Sequence, residues 1–349
     1  MGAKYKTIVT IGPSSNNPEI LRGFAERRVD FFRINLSHTD KKDIEKIILD
    51  INRYGVTIIL DTEGPQVRTG NLKDLHFSKG EKIKIYSSEI ECDNNQFYLT
   101  PVQVIKKLRR GDGISLAFGS AHLVVEDNSK METEGYVVCN VEHGGEVGSR
   151  KAVHLESISF EMPDFSEKDL YAFELAKKMG INHFTLSFME SPDSINKIKE
   201  LYPKSFLISK IESLKGVNNF EEIVKVSDAI LIDRGDLSSQ VTVQKVPFIQ
   251  KHLIRRCVKL GKEVFIATDT LQNMFQFLRP NVADTNDMIN TLIDGASGIA
   301  LTKETAVGKY PLQTVDMLKK IMDQVFYLEN LMESSNSDFV KKILDNNNL

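Results

Sequence analysis

Short apolar runs rich in β-branched residues recur along the chain, and segments with helical spacing separate them. Eight runs have this character: residues 5–12, 29–37, 56–64, 183–188, 206–212, 229–235, 264–269 and 298–302. Their nearly continuous apolar content is typical of strands that are buried on both faces of a parallel sheet. Eight such strands alternating with helices predict an α/β protein with a (β/α)8 barrel of the TIM type.

The segment 166–180 illustrates how one of the predicted helices begins and ends. Ser166 is a suitable N-cap, Asp169 follows three residues later, and Gly180 comes after the last apolar position. A serine followed at this spacing by an acidic residue can form a reciprocal capping arrangement, and glycine is common just past a helix. We therefore predict a helix between Ser166 and Gly180.

The pattern changes after the third predicted strand. Residues 68–161 consist of short β-rich runs and turns, with no dominant helical stripe. This pattern predicts an all-β lid domain inserted into the barrel, and Gly144-Gly145, between two β-rich stretches, predicts a hairpin turn. The predicted organisation is a first barrel part (1–67), the lid (68–161), a second barrel part (162–330) and a C-terminal tail (331–349).

Composition and charge exclude several kinds of function. Of the 349 residues, 41% are apolar and 27% charged, as in ordinary globular proteins, and a formal net charge of -3 gives no attraction to nucleic acid or anionic membrane. No apolar run reaches the roughly 18 residues of a membrane span, and the first residues lack the pattern of a secretory signal. Cys92, Cys139 and Cys257 are too scattered for a zinc site. We expect a cytoplasmic protein that acts on small molecules.

Polar and charged residues gather where the predicted strands end, which is where barrels of this type carry their active sites. The strand ends supply Arg33, Asn35, Ser37, His38, Asp61, Thr62, Glu63, Lys210, Glu212, Asp233, Arg234, Gly235, Asp236, Thr268, Asp269, Thr302, Lys303 and Glu304. Lys210 and Glu212 stand two residues apart, so a strand places both on one face. Because an unpaired buried charge is costly, these charges must compensate one another or bind ions.

The residue types at the strand ends indicate which ions they suit. Glu212 and Asp236 offer hard oxygen ligands for Mg²⁺ or Mn²⁺. A second, singly acidic oxygen group suits a monovalent cation and consists of Asn35, Ser37, Asp61 and Thr62. Arg33 and Arg68 suit phosphate, and Lys210 could stabilise an oxyanion beside the divalent ion. A structural salt bridge would explain each residue alone, whereas contributions from five strands at one end favour a binding site.

Several segments together resemble the pyruvate kinase family. They are RINLSH (33–38), LDTEGPQVRTG (60–70), PDFSEKD (163–169), ISKIESLKGVNNFEEI (208–223), DRGDL (233–237), ATDTLQNM (267–274) and ETAVGKYPLQTV (304–315). They follow the family's order, and the resemblance extends over residues 7–321. It implies the same barrel and inserted lid, and an enzyme of glycolysis that transfers a phosphoryl group between phosphoenolpyruvate and ADP through a metal-bound pyruvate enolate.

The resemblance also implies a role for individual residues. Glu212 and Asp236 match the ligands of Mg²⁺ or Mn²⁺, and Lys210 matches the lysine that stabilises the enolate and the transferring phosphoryl group. Thr268 matches the threonine near the carbon that receives the proton, and the N–H groups of Gly235 and Asp236 would hold the substrate carboxylate. The resemblance also assigns phosphate or nucleotide contacts to Arg33, Arg68, His38 and Lys151. It assigns the potassium ligands to Asn35, Ser37, Asp61 and Thr62. The implied partners are phosphoenolpyruvate or pyruvate with ADP or ATP, and a homo-oligomer through the barrel is left open.

The sequence departs from the family pattern at several places. Glu63 stands where the family has lysine, Gln66 replaces a glutamate associated with potassium dependence, and Asp233 replaces a small residue beside the carboxylate pocket. In the lid, Phe118 occupies part of a stretch where the family has two aspartates, one of which faces the nucleotide. The sequence ends at Leu349, before the family's C-terminal regulatory domain, so we expect that domain to be absent. These changes leave the predicted metal ligands and the predicted enolate lysine in place. They alter the part of the site that is predicted to bind the nucleotide.

Three functions therefore stay open. The first is phosphoryl transfer between phosphoenolpyruvate and ADP. The second is a nucleotide-independent, metal-dependent enzyme acting on a 2-oxo acid, of the oxaloacetate decarboxylase or aldolase type. The third is a non-catalytic relative that binds a phospho-carboxylate. ADP binding separates the first from the second, and metal binding without turnover would indicate the third.

Overall fold

The computed structural model describes residues 4–117, 119–156 and 162–329, which form two compact units. The barrel unit comprises the described residues of Met1–Gly64, Phe165–Leu237 and Val243–Leu349. The β unit comprises those of Pro65–Asp164 and Ser238–Thr242. The predicted tail 331–349 and Phe118 lie outside the described residues.

The described residues contain strands of the barrel on either side of a run of shorter strands. The first three are β1 (Lys6–Ile11), β2 (Phe31–Asn35) and β3 (Thr57–Asp61). The shorter strands are β4 (Arg68–Thr69), β5 (Leu75–Phe77), β6 (Lys82–Tyr86), β7 (Gln96–Thr100), β8 (Gly113–Leu116), β9 (Ala121–Asp127), β10 (Tyr136–His143), β11 (Gly145–Val147) and β12 (Val153–Leu155). The last five are β13 (His183–Leu186), β14 (Phe206–Ile211), β15 (Ala229–Asp233), β16 (Glu263–Ala267) and β17 (Gly298–Leu301).

The barrel unit is built around a closed barrel of eight parallel strands. Their order around the barrel is β1, β2, β3, β13, β14, β15, β16 and β17, and β17 pairs with β1. Spatial order therefore follows chain order, as expected when each strand is joined to the next by a right-handed crossover. Seven of the eight apolar runs in the sequence contain one of these strands, and β16 begins one residue before the run at 264–269. The predicted (β/α)8 barrel is confirmed.

The β unit follows β3 in the sequence and is mostly antiparallel. One sheet has the order β12, β8, β9, β10, β6, β7, β4, and a second pairs β5 with β11. Only the pair of β6 and β7 is parallel among the described strands of this unit. The unit has its own buried apolar core, to which Phe77, Phe97 and Val137 belong. The predicted insertion of a β domain after the third barrel strand is confirmed.

The predicted hairpin at Gly144-Gly145 is wrong. β10 ends before these glycines and pairs with β6 and β9, whereas β11, which follows, pairs with β5. A Cβ atom at Gly144 would overlap the carbonyl oxygen of Phe77, and one at Gly145 would overlap that of Ser120. Glycine is therefore needed here because backbones approach closely, and not because the chain turns back on itself.

Helices connect the barrel strands and one short helix lies in the β unit. The α-helices are α1 (Pro18–Glu26), α2 (Ile44–Asn52), α3 (Met131–Glu134), α4 (Glu167–Met179), α5 (Pro192–Leu201), α6 (Leu214–Asn218), α7 (Phe220–Val226), α8 (Arg234–Gln240), α9 (Val246–Lys259), α10 (Val282–Ile293), α11 (Lys303–Ala306) and α12 (Pro311–Glu329). The 3₁₀ helices are Leu36–His38, Val102–Lys107, Val243–Lys245 and Gln272–Phe275. Within the described ranges, no helix is both long and apolar enough to cross a membrane.

The start of α4 is tied to the end of β3. Ser166 and Asp169 form the predicted capping box, and Gly180 ends the helix in the left-handed conformation with φ 73°. The buried carboxylate of Asp169 also accepts hydrogen bonds from the backbone N–H groups of Glu63 (2.7 Å) and Gly64 (3.1 Å). One side chain therefore caps a helix and fixes the loop after a barrel strand.

We expect Asp169→Ala to cost more stability than Ser166→Ala. Loss of the serine cap should lower the free energy of unfolding by about 1 kcal/mol. Loss of Asp169 leaves the N–H groups of Ser166, Glu63 and Gly64 without their acceptor, so the loss should be roughly 2–4 kcal/mol. Urea unfolding followed by circular dichroism measures both variants. Equal losses would show that the tie to the β3 loop contributes nothing.

Candidate active site

A layer of polar side chains fills one level of the barrel interior. Side chains alternate along a strand, and on five strands the inward residue two positions before the polar one is apolar: Ile8, Phe31, Ile59, Ile208 and Leu231 belong to a buried apolar cluster. The next inward residues form what we call the polar layer: Thr10, Arg33, Asp61, Thr185, Lys210 and Asp233. All six are at most 5% exposed. The same alternation that builds the core thus places the charges side by side at the strand ends.

Lys210 lies at the centre of this layer. Its Nζ is 2.7 Å from Glu212 Oε1, 3.5 Å from Asp61 Oδ1 and 3.7 Å from Asp233 Oδ2. It also donates a hydrogen bond to Ser187 Oγ at 3.1 Å. Burial alone would lower the pKa of Lys210, but the three carboxylates outweigh burial and raise it. The side chain therefore stays an ammonium and acts as a hydrogen-bond donor, not as a base.

Arg33 and Asp61 form a second buried pair next to Lys210. Arg33 Nε and Nη2 donate to Asp61 Oδ2 at 3.1 and 2.5 Å, and Arg33 Nη1 donates to Thr10 Oγ1 at 2.8 Å. Asp61 Oδ1 accepts from Thr185 Oγ1 at 2.5 Å. Burial would raise the pKa of Asp61, but Arg33 and Lys210 lower it below its usual value. Both residues are ionised, and the guanidinium predicted to bind phosphate is engaged by Asp61.

Glu212 directly follows β14 and is 1% exposed. Its Oε2 accepts from the backbone N–H of Phe188 at 2.7 Å. Burial raises the pKa of Glu212 to about 8, in spite of the nearby ammonium of Lys210. The carboxylates of Asp236 and Asp233 add to the increase. Glu212, Asp233 and Asp236 each bring one carboxylate oxygen within 4.8 Å of the others, which is close enough to share one cation.

The charges at the barrel mouth fit a divalent cation. The interacting side chains are the positive Lys210 and Arg33 and the negative Asp61, Glu212, Asp233 and Asp236. Around Lys210, the three carboxylates Asp61, Glu212 and Asp233 face two cations when all are ionised, and Asp236 adds a further carboxylate nearby. Among the described residues, Glu212 Oε1 has an ion-pair contact with Lys210 but accepts no well-directed hydrogen bond. Hard oxygen ligands in a group where carboxylates outnumber cations suit Mg²⁺ or Mn²⁺, and the assignment of this ion to Glu212 and Asp236 stays a prediction.

The chain after β16 has a strained backbone that an arginine holds in place. Thr268 and Asp269 both have left-handed φ angles, 70° and 53°, which cost of order 1–3 kcal/mol each for residues with a Cβ. Arg234 donates to the carbonyl oxygens of Thr268 (2.9 Å) and Asp269 (2.6 Å), and its Nη1 bonds Asp287 at 2.6 Å. The Thr268 hydroxyl then donates to Asp233 Oδ1 at 2.7 Å. Arg234 therefore positions the threonine predicted to lie near the substrate.

The predicted potassium ligands lie on neighbouring strands. The β2–β3 register aligns Asn35 with Asp61. Asn35 Oδ1 accepts from the N–H of Ser37 at 2.9 Å, and Thr62 Oγ1 accepts from the N–H of Ser187 at 2.8 Å. Several of the oxygens proposed for potassium are thus engaged in hydrogen bonds. A potassium site at these residues stays a prediction.

The residues predicted to contact nucleotide are divided between the two units. His38 is exposed on a 3₁₀ helix of the barrel unit, whereas Arg68 and Lys151 belong to the β unit. In the barrel unit, Glu63 forms an ion pair with Lys168 at 3.1 Å, so its replacement of lysine is compensated locally. The nucleotide roles of His38, Arg68 and Lys151 stay predictions.

Sequence reasoning did not assign a role to three buried hydroxyl residues at this site. Thr10 contacts Arg33, Thr185 contacts Asp61, and Ser187 contacts Lys210. An alternating pattern could have identified two of them, because Thr185 and Ser187 stand two apart in the fourth apolar run. Asp233 was recognised as a substitution, but its place beside Glu212 and Asp236 was not anticipated.

Comparisons with known proteins agree with the fold and with the sequence segments. The profile of the pyruvate kinase barrel domain matches residues 3–315. Curated relatives include the pyruvate kinases of Staphylococcus saprophyticus (33% identical over 331 residues), Staphylococcus haemolyticus (32%) and Staphylococcus aureus strain MRSA252 (31%). Each comparison covers 91% of this chain and 56% of the relative. The chain therefore spans little more than half the length of the curated relatives it matches.

We expect the binding of Mn²⁺ to release protons near neutral pH. Burial raises the pKa of Glu212 to about 8, so a fraction of this carboxyl group carries a proton near neutral pH, whereas a bound cation requires the carboxylate form. Affinity should therefore rise roughly tenfold per pH unit below the pKa and level off above it. Calorimetric titration in buffers of different ionisation enthalpy counts the released protons. Release should vanish in Glu212→Gln, and wild-type protein that binds Mn²⁺ without releasing protons would contradict the assignment.

Proposed function

The chain belongs to the pyruvate kinase family through its barrel domain, and from that premise we propose that it transfers a phosphoryl group between phosphoenolpyruvate and ADP by way of a pyruvate enolate. The observation that carries the proposal is the position of Lys210. A buried ammonium lies 2.7 Å from one carboxylate of a group able to bind a cation. This arrangement suits an oxygen that gains negative charge during a reaction.

The proposal gives distinct roles to the cation and to the protein side chains. Glu212 and Asp236 would hold Mg²⁺ or Mn²⁺, which when bound supplies positive charge for developing oxyanions and phosphoryl oxygens. Lys210 would donate a hydrogen bond to the C2 oxygen of the enolate. Thr268 would lie on the side of the carbon that gains or loses a proton. The polar layer around Lys210 is almost fully buried, so its hydrogen bonds act where water is excluded.

Lys210 is suited to act as a hydrogen-bond donor that is held in place before the reaction begins. Its contacts with Asp61 and Ser187 hold the ammonium in position. A donor fixed in advance does not need to reorient as charge develops, which is why such groups lower activation barriers. The raised pKa of Lys210 supports the same role, because the group stays charged across the physiological range.

A second candidate is a nucleotide-independent enzyme that forms the same enolate from another 2-oxo acid, such as oxaloacetate. The observation that favours it is the state of Arg33. This arginine is 3% exposed and its guanidinium bonds Asp61 and Thr10, which leaves it poorly placed to bind phosphate unless those contacts change. An enzyme that handles no phosphoryl group would have no need of that change.

Two assays distinguish the candidates. Formation of ATP and pyruvate from phosphoenolpyruvate and ADP·Mg supports phosphoryl transfer. Release of CO₂ from oxaloacetate with Mn²⁺ and without nucleotide supports the second candidate. Absence of both activities, with Mn²⁺ still bound, would contradict both enzymes and favour a relative that only binds ligand.

We expect Lys210→Met to lower the rate of pyruvate methyl-proton exchange with little change in apparent affinity. Removing one preorganised donor typically costs about 10² to 10³ in rate, or roughly 3–4 kcal/mol. NMR in heavy water with Mg²⁺ measures the exchange and requires no second substrate. Lys225→Met removes an exposed lysine and serves as the control.

Loss of Lys210 also leaves buried carboxylates without their counter-charge, so folding must be checked by circular dichroism. Lys210→Arg retains a positive charge and should fold, yet it should also exchange slowly because a guanidinium cannot occupy the same position. Equal exchange in wild type and Lys210→Met would contradict the role of Lys210. No exchange in wild type, even with ADP or a phosphate analogue, would contradict enolate formation itself.

A further inference from the structure

Asp233 occupies hydrogen-bond donors that a carboxylate ligand would need. It is the last residue of β15 and is 5% exposed. Its Oδ1 accepts from Thr268 Oγ1 at 2.7 Å and from the backbone N–H of Gly235 at 3.2 Å. Its Oδ2 lies 3.7 Å from Lys210 Nζ. A hydroxyl, a backbone amide and an ammonium thus surround a carboxylate that is part of the protein.

The hydroxyl and the backbone amide have little capacity left for a second carboxylate. A threonine hydroxyl carries one proton, and a backbone amide carries one. While both point at Asp233, neither is available to a ligand. By the resemblance to the pyruvate kinase family, the N–H of Gly235 would hold the substrate carboxylate. Thr268 would lie near the carbon that receives the proton. The side chain of Asp233 and the carboxylate of a 2-oxo acid therefore compete for the N–H of Gly235, and Asp233 also engages the hydroxyl of Thr268 beside it.

Charge strengthens the competition. A ligand carboxylate at the N–H of Gly235 would bring a second negative charge beside Asp233, whose Oδ1 already accepts from that N–H. Like charges at such distances repel strongly where water is largely excluded. A carboxylate ligand must therefore displace the Asp233 side chain before it can use these donors.

We propose that Asp233 is an internal carboxylate that occupies the carboxylate subsite and weakens the binding of 2-oxo acids. This inference rests on the proposed function, because it concerns the ligand of the same site. Asp233 thereby determines specificity: it disfavours ligands with a carboxylate next to the reacting carbonyl, and a residue without a charge at this position relieves the effect.

A different role for Asp233 would give the opposite result. Its carboxylate lies within 4.8 Å of ligand atoms on Glu212 and Asp236, so it could serve as a third ligand of the cation. In that role its removal would weaken Mn²⁺ binding and, with it, the binding of any ligand that the cation holds. The two roles are therefore separated by measuring the cation and the carboxylate ligand independently.

The test measures the binding of Mn²⁺ and then of oxalate, a planar dicarboxylate shaped like pyruvate enolate, to Asp233→Ala, Asp233→Asn and wild type. Mn²⁺ is kept saturating for each protein, and under that condition we expect Asp233→Ala to bind oxalate at least about tenfold more tightly than wild type. Asp233→Asn removes the charge but keeps an oxygen that can accept from Thr268 and Gly235, so its gain should be intermediate. Asp193→Ala removes an exposed carboxylate and should leave both affinities unchanged.

Calorimetry gives both affinities, and circular dichroism verifies folding. Oxalate binding that is unchanged or weaker in Asp233→Ala, with Mn²⁺ binding retained, would overturn the role of Asp233 and leave the proposed function standing. Weaker binding of both would identify Asp233 as a ligand of the cation. Wild type that binds no Mn²⁺ would overturn the proposed function together with this inference. Tighter binding of pyruvate in the same variant would extend the result from the analogue to a 2-oxo acid.

Discussion

The buried ammonium of Lys210 is the interaction on which the arrangement of the barrel mouth depends. Asp61, Glu212 and Asp233 come from three different strands or strand ends, and each lies within 3.7 Å of this one nitrogen. Buried carboxylates would repel one another without it, and a buried lysine would lose its proton without them. Its pKa is raised instead, which shows that the carboxylates outweigh burial. The strands are thus joined by charge as well as by packing.

Carboxylates outnumber cations around Lys210, and this excess suits the binding of a cation. Arg33 forms an ion pair with Asp61, and Lys210 is shared among three carboxylates. Burial nevertheless raises the pKa of Glu212, and the carboxylates of Asp236 and Asp233 add to the increase. Buried charge contributes little net stability, so stability alone does not account for such an excess. A divalent cation would complete the balance of charge and would lie beside the ammonium that we propose stabilises an oxyanion. The strained backbone at Thr268 is consistent with a site organised for binding.

The fold and part of the site could be predicted from the sequence because both rest on local alternation. Apolar runs identify the barrel strands, and the same period of two places Lys210 and Glu212 on one face. Pairing between distant strands cannot be derived in this way. Gly144 lies between two β segments as a hairpin glycine would, yet the second segment pairs with β5, which is far away in the sequence. The contact of Asp233 with Thr268 likewise depends on a side-chain conformation that only the folded chain determines.

The central claim is that one divalent cation binds at Glu212 and Asp236, beside Lys210. The most direct test is a crystal structure of the Mn²⁺-soaked protein with anomalous scattering recorded at the manganese edge. The account predicts an anomalous peak within bonding distance of carboxylate oxygens of both Glu212 and Asp236. The described chain offers another group able to hold a metal, His122, Glu142 and His143 in the β unit. A peak at that group with none at Glu212, or no peak at all under saturating Mn²⁺, would contradict the account.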